Sequence, residues 1–125
     1  MLEYIAIGLG KDRHYFRLWF VEQSLGTFRS IKYLPRTAAI VQSDNLAPAD
    51  YQLITPEHTD SGFLTLLNTF GYPGLQVIVD GEYKFVKPET NNMVVNLGDL
   101  FARITNFQLK ATMHRVMDIG CERYS

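Results

Sequence analysis

Short runs of β-type residues, each bounded by turn residues, follow one another along most of this chain. The runs are rich in β-branched, aromatic and other apolar residues, whereas Gly, Pro, Asn, Asp and Ser separate them. They predict strands at residues 30–34, 51–54, 63–67, 75–79, 83–86, 93–97, 101–105, 111–117 and 122–124. Many short strands favour two packed antiparallel sheets, as in a sandwich or jelly roll, because this packing limits exposed strand edges. Residues 35–49, rich in Ala, Ser, Asn and Pro, are predicted to form the main loop.

The clearest local signal is the Asp80-Gly81 pair, which lies between two strand-like runs. Asp-Gly is a preferred pair for the two-residue hairpin turn, whose central residues both adopt positive φ. The sequence therefore predicts an antiparallel hairpin over residues 76–85.

The N-terminal part has a helical period instead. Apolar residues fall at i, i+3, i+4 and i+7, and glycines at positions 8 and 10 mark the expected end of this helix. These apolar residues are Leu2, Ile5, Ala6 and Leu9.

A second α-helix is predicted after Asp12, a candidate N-cap, with Phe16, Trp19 and Phe20 on one apolar face. A length of 125 residues suits one domain. We therefore expect one domain over residues 1–125, in which residues 1–27 form helical support and residues 28–125 form the β core.

Charge and cysteine content argue against several functional classes. The 12 Lys+Arg residues are scattered among 13 Asp+Glu residues, so no basic stripe suits the phosphate backbone of a nucleic acid. Since the chain has neither a signal-like N-terminus nor an apolar run of about 18 residues, we expect no membrane association and a cytoplasmic location. The single cysteine, Cys121, agrees with a reducing compartment. Oligomeric state is not predicted.

Two histidines and a carboxylate are the strongest candidate metal ligands. His58 and Asp60 are two residues apart, so they would project to the same side of an extended strand. A distal His114 would complete the facial triad of non-haem iron(II) enzymes, which leaves metal positions open for other ligands. A catalytic zinc site uses the same ligand types and is the competing interpretation. The remaining histidine, His14, is expected to be a surface residue.

The triad belongs to a wider series of motifs that occur in one fixed order. The segments are HTDSGFLTLL at 58–67, PGLQV at 73–77, VVNLGD at 94–99, ITN at 104–106, HRV at 114–116 and ERYS at 122–125. In this order the chain resembles the iron(II)- and 2-oxoglutarate-dependent oxygenases, the family that includes isopenicillin N synthase, plant flavonoid dioxygenases and gibberellin oxidases. The resemblance spans nearly the whole chain.

The resemblance implies a distorted double-stranded β-helix, a mainly β jelly roll, preceded by two α-helices. It implies that His58, Asp60 and His114 bind Fe(II), and that Arg123 and Ser125 bind the far carboxylate of 2-oxoglutarate. The implied reaction couples decarboxylation of 2-oxoglutarate to O₂-driven hydroxylation or desaturation of a small organic substrate, with ascorbate as a candidate reductant. The scheme requires no separate general acid or base.

Two alternatives stay open at this point. One is an oxidase of the same family that keeps the Arg-x-Ser motif but does not consume 2-oxoglutarate. The other is a truncated core that keeps the ligands without being catalytic.

Other motif residues have structural interpretations. Residues 96–99 are predicted to form a tight turn between two core strands, with Gly98 in a conformation barred to other residues. Arg115 is expected to point away from the metal and to pair with Glu122 or another acid.

The chain also departs from the family pattern at three positions. Relatives often place a tyrosine directly before the proline of the first core strand, where this chain has Leu34, so Tyr33 is expected on the other face. The usual tryptophan of the second hairpin strand is Tyr83, and a usual glycine is Phe107.

Relatives also carry an N-terminal lobe, and their last core strand continues beyond the Arg-x-Ser motif. We therefore expect the final strand to be cut short and the 125 residues alone to be marginally stable and prone to associate.

Overall fold

Short antiparallel strands are the main regular elements of this protein in its computed structural model, which describes residues 1–20, 26–34 and 53–125. The described strands are β1 (Lys32–Tyr33), β2 (Leu53–His58), β3 (Leu64–Leu67), β4 (Leu75–Val79), β5 (Glu82–Phe85), β6 (Val94–Leu97), β7 (His114–Met117) and β8 (Arg123–Tyr124). They form a four-stranded sheet in the order β2-β7-β4-β5 and two-stranded sheets β3-β6 and β1-β8. The predicted mainly β, jelly-roll class is confirmed.

The predicted hairpin is confirmed as β4-β5. Val79 pairs with Glu82 across a two-residue turn, in which Asp80 has φ 55° and Gly81 has φ 82°. These positive values are the ones that a type I′ turn needs. The hairpin places Tyr83 on the edge strand of the four-stranded sheet.

The first predicted helix is also present, as α1 (Leu2–Gly8). Ala6 is fully buried, and Leu2, Ile5 and Leu9 pack around the same core. The helical period therefore identified the face that α1 buries. Among the residues that the structure describes, no helix is long and apolar enough to cross a membrane.

The prediction of a second α-helix after Asp12 is wrong for the described residues. The segment is a series of turns that ends in a 3₁₀ helix at Arg17–Trp19. Asp12 does accept a hydrogen bond from the His14 N–H at 2.8 Å, but the backbone bond from Tyr15 to Asp12 spans three residues rather than four. An aspartate that bonds nearby backbone favours a turn over a continuing helix.

The strand predicted at residues 101–105 is wrong as well, because this segment lies in helix α2 (Asp99–Ile104) and its C-terminal cap. Phe101, Ala102 and Thr105 are buried, whereas Leu100 and Arg103 are exposed. The buried positions therefore recur at the spacing of a helix. The sequence does not reveal this, because a run of five mostly apolar residues also fits a buried strand. Of the other predicted elements, residues 51–52 and the loop at 35–49 lie outside the described residues.

An aromatic cluster forms the core behind α2. Phe101 is fully buried, stacks on Phe63 with ring centroids 4.2 Å apart, and meets Phe16 edge-on at 5.4 Å. Offset-stacked and edge-to-face pairs are the favoured aromatic arrangements. The cluster therefore fixes α2 against the segment that begins β3.

Phe107 carries backbone strain just after α2, where its N–H donates to the Ala102 carbonyl at 2.7 Å. It is 64% exposed and has φ 59°, a left-handed conformation that costs a residue other than glycine about 1–2 kcal/mol.

Phe107→Gly should therefore raise the free energy of unfolding by about 0.5–1 kcal/mol in denaturant titrations, after the greater chain entropy of glycine is subtracted. Phe107→Ala is the control, because it removes the ring and keeps the strain. Equal stabilities of the two variants would contradict this explanation.

Candidate metal centre

His58 and His114 lie opposite each other at the ends of neighbouring strands. His58 is the last residue of β2, His114 is the first of β7, and the two are register partners. Their ring centroids are 4.2 Å apart. The strand pairing is irregular just before this point, with a register shift between Thr55 and His58.

Asp60 reaches the histidines from a loop rather than from the same strand, since β2 ends at His58. The N-terminus of α2 holds this loop: Asp99 N–H donates to the Asp60 carbonyl at 2.7 Å, and Leu100 N–H donates to the Gly62 carbonyl at 3.2 Å. The first N–H groups of a helix have no partner within the helix, so the loop carbonyls satisfy them. A further bond joins the Thr59 hydroxyl to the Asp99 carboxylate at 3.0 Å.

Only glycine fits at position 98, because the contact between α2 and the loop leaves no room for a side chain. Its φ of −95° and ψ of 171° suit any residue, so the prediction of a special conformation is wrong. A Cβ atom here would instead collide with the backbone of Gly62 and lie 2.9 Å from the Asp60 carbonyl oxygen. Residues 96–99 are likewise the end of β6 and the start of α2, not a turn between two strands.

The three side chains point their ligand atoms at one another. Asp60 Oδ1 is 3.7 Å from His58 Nε2 and 3.7 Å from His114 Nε2. Each histidine Nδ1 lies at hydrogen-bond distance from a carbonyl oxygen two residues earlier, Pro56 at 2.9 Å and Thr112 at 3.0 Å. Since a carbonyl only accepts, this contact places the proton of a neutral imidazole on Nδ1 and leaves the Nε2 lone pair for a ligand.

This donor set suits a first-row metal ion. Ligand atoms that bind one ion at about 2.1 Å and right angles lie about 3.0 Å apart, so the gap between Asp60 and each histidine needs to narrow by about 0.7 Å. One ligand atom from each of the three residues lies within 4.8 Å of the others. The carbonyl-bound Nδ1 atoms are the outer contacts that orient metal-binding histidines in proteins.

Asn96 holds the second oxygen of the Asp60 carboxylate, Oδ2. Asn96 Nδ2 donates to Asp60 Oδ2 at 2.8 Å, and Thr65 adds a side-chain hydrogen bond. Burial alone would raise the pKa of Asp60, but the bonds from Thr65 and Asn96 and the nearby histidines outweigh it and hold that pKa below its usual value. The carboxylate is therefore kept ionised, with Oδ1 aimed at the histidines.

Arg123 is buried, and no described residue gives it an anionic partner. It is 1% exposed, its Nη1 donates to the Pro73 carbonyl at 3.0 Å, and its Nε has no hydrogen-bond partner in the described part of the chain. Ser125 Oγ is likewise buried and has no partner among those residues. Burial lowers the pKa of Arg123 from its usual value. Space for the guanidinium depends on Gly74, because a Cβ atom there would lie 2.7 Å from Nη1.

The prediction that Tyr33 is displaced away from this site is wrong. Tyr33 is the register partner of Arg123, and the guanidinium carbon lies 4.9 Å from the centre of its ring. Leu34, at the position where relatives have the tyrosine, is 62% exposed. The short β1-β8 pairing therefore brings the aromatic ring onto Arg123.

Arg115 lies away from the triad, as its place next to His114 in the strand predicts. Its Nε donates to Gln76 Oε1 at 2.8 Å, and its guanidinium stacks on Tyr83. The suggested pairing with Glu122 is wrong, because Glu122 binds Lys32 at 2.7 Å.

The sequence model of the 2OG-Fe(II) oxygenase superfamily matches residues 29–125. The chain belongs to this superfamily. Gibberellin 20 oxidase 3 of Arabidopsis thaliana is 34% identical over 123 residues, which cover 98% of this chain and 29% of that protein. A 2-oxoglutarate-Fe(II) type oxidoreductase of Aspergillus fumigatus is 36% identical over 107 residues, which cover 83% and 29%.

Solved structures of 2OG-Fe(II) oxygenases share the fold. A full-length Neurospora crassa protein in complex with alpha-KG, another name for 2-oxoglutarate, superposes with a TM-score of 0.82 at 34% identity. The match covers 98% of this chain and 38% of that one. JOX2 in complex with 2OG, Fe and JA gives 0.75 at 25% identity, over 98% and 34%. This chain therefore spans about a third of the length of the superfamily members that it matches.

Asn96 and Thr65 are the site residues that sequence reasoning missed, since Asn96 was assigned to a structural turn. A signal for them exists in the sequence. Each is a polar residue inside an otherwise apolar strand, and they are register partners on β6 and β3. A half-buried polar pair between apolar neighbours needs a polar partner, and Asp60 supplies it.

Asn96→Ala should weaken metal binding, because Asp60 Oδ2 loses a donor and the carboxylate is free to rotate. In this superfamily member we expect the dissociation constant for Mn(II), measured by calorimetry, to rise about tenfold. Asn92→Ala is the matched control, since Asn92 bonds Glu89 and not the triad. An unchanged constant in a folded Asn96→Ala variant would contradict the assigned role.

Proposed function

We propose that the protein is the catalytic core of an oxygenase that uses Fe(II) and 2-oxoglutarate to oxidise a small organic molecule. The observation that carries this proposal is the pairing of two sites. His58, Asp60 and His114 present convergent metal ligands, whereas Arg123 Nε and Ser125 Oγ are buried donors without an acceptor among the described residues.

His58 Nε2, Asp60 Oδ1 and His114 Nε2 are the proposed ligands of Fe(II). Two imidazoles and one carboxylate occupy one face of an octahedral ion and leave the opposite face open. When bound, the iron supplies the activation of O₂ that couples decarboxylation of 2-oxoglutarate to oxidation of the substrate. The contribution of this chain is to hold the three ligand atoms in place, through the α2 contact, the Asn96 bond and the two carbonyl-bound imidazoles.

Arg123 and Ser125 are the proposed site for the far carboxylate of 2-oxoglutarate. The described contacts of Arg123 are a carbonyl oxygen and an aromatic ring, neither of which neutralises its charge. A buried charge without a counter-ion is costly, and a carboxylate can accept two parallel bonds from a guanidinium. Ser125 Oγ would add a third donor to the same ligand.

The two sites are joined through β4. Gly74, which contacts Arg123, accepts a backbone hydrogen bond from Met117, and Val77 pairs with His114. Three residues of strand correspond to about 10 Å. A dicarboxylate that binds Arg123 at one end can thus be directed along β4 toward the histidines at the other.

The proposed substrate is a small organic molecule. The similar proteins are named for, or crystallised with, different compounds, among them gibberellin, thymine and JA, so none is transferred to this chain. We propose a cytoplasmic location, since the free and exposed Cys121 suits a reducing compartment.

Arg123→Ala tests the co-substrate site. The variant loses charge-assisted hydrogen bonds worth roughly 1.5–3 kcal/mol, so the dissociation constant for 2-oxoglutarate should rise on the order of ten- to a hundredfold. The affinity for Mn(II) should not change, because Arg123 makes no described contact with the triad. Arg103→Ala, an exposed arginine on α2, is the matched control.

Succinate release, measured together with O₂ uptake, distinguishes the proposal from the oxidase alternative. The proposal predicts one succinate for each O₂ consumed, and loss of both in Arg123→Ala at low 2-oxoglutarate. O₂ uptake without succinate would instead identify an oxidase of the same superfamily that does not consume 2-oxoglutarate.

A further inference from the structure

A line of four side chains crosses the four-stranded sheet on the face opposite His114. We call it the cross-sheet bridge. It has one member from each strand, in sheet order Glu57 from β2, Arg115 from β7, Gln76 from β4 and Tyr83 from β5.

The members of the bridge contact one another directly. Tyr83 Oη donates to Glu57 Oε2 at 2.5 Å, which links the two edge strands of the sheet. The Arg115 guanidinium carbon lies 3.6 Å from the centre of the Tyr83 ring, and Arg115 Nε donates to Gln76 Oε1 at 2.8 Å. Tyr83 therefore uses its ring for Arg115 and its hydroxyl for Glu57.

Two members of the bridge are sequence neighbours of the proposed ligands. Glu57 immediately precedes His58, and Arg115 immediately follows His114. The backbone pairing between β2 and β7 shifts register between Thr55 and His58, so the paired histidines lack the constraint of a regular ladder on the side that precedes His58. Side-chain contacts across the sheet can supply that constraint.

We infer that Tyr83 is a positioning residue for the metal centre, acting through Glu57 and Arg115 to hold His58 and His114 at the spacing that one metal ion needs. This inference rests on the proposed function. Tyr83 reaches both histidine strands from the far edge of the sheet. A tryptophan also offers an aromatic face and one N–H donor, so it can make the same two contacts.

Co(II) titration of Tyr83→Phe tests the inference. Phenylalanine keeps the ring under Arg115 and loses only the bond to Glu57, so the dissociation constant for Co(II) should rise about three- to tenfold. The visible absorption of bound Co(II) should change as well, since it reports ligand geometry. Tyr83→Trp should restore both values toward those of the wild type. Tyr4→Phe, at an 80% exposed tyrosine on α1, is the matched control and should change neither.

A second variant separates positioning from general destabilisation. Glu57→Ala should weaken Co(II) binding as much as Tyr83→Phe does, and the double variant should be no weaker than either single one, because both remove the same contact. Additive losses, or a lower melting temperature with an unchanged Co(II) constant and spectrum, would overturn the positioning role. Failure of the wild-type protein to bind Co(II) would instead overturn the proposed function, and this inference with it.

Discussion

The contact between the N-terminus of α2 and the loop at residues 60–62 is the constraint on which the candidate centre depends. Asp60 lies beyond the end of β2, so strand pairing does not place it. Its position follows from the α2 N–H groups, which bond the loop carbonyls, and from Gly98, which leaves room for that approach. The stacked pair of Phe101 and Phe63 in turn anchors α2. The aromatic core thereby fixes the position of the Asp60 carboxylate through α2.

Charge balance links the two proposed sites. Asp60 contributes one negative charge and Arg123 one positive charge, whereas Fe(II) and 2-oxoglutarate bring two positive and two negative charges. The complete assembly is therefore neutral, although each buried charge alone is costly. Before ligands bind, Asp60 is stabilised by Asn96 and Thr65, and Arg123 is accommodated by the Pro73 carbonyl and the Tyr33 ring. These partners are uncharged. They therefore hold the side chains of Asp60 and Arg123 in place, and the charge of each side chain is left for the metal ion or the co-substrate to neutralise.

The sequence predicted the features that depend on local pattern or on ordered motifs. Strand β4, the Asp80-Gly81 hairpin, helix α1 and the superfamily are confirmed. The metal and co-substrate roles of the triad, Arg123 and Ser125 stay predictions, although the structure brings the triad together. Helix α2 was missed because a short apolar run fits a strand and a helix equally. The contacts of Asn96 with Asp60 and of Tyr33 with Arg123 join distant segments, which no local pattern reveals.

Anaerobic titration with Fe(II), followed by measurement of bound iron per chain, tests the central claim most directly. The proposed ligand set predicts one Fe(II) per chain in the wild-type protein and none retained by Asp60→Ala, with the fold preserved by circular dichroism. His14→Ala should still bind one Fe(II), because His14 is an exposed residue that lies near Glu3 rather than near the triad. Wild-type stoichiometry and affinity in Asp60→Ala would show that the iron binds elsewhere and would contradict the account.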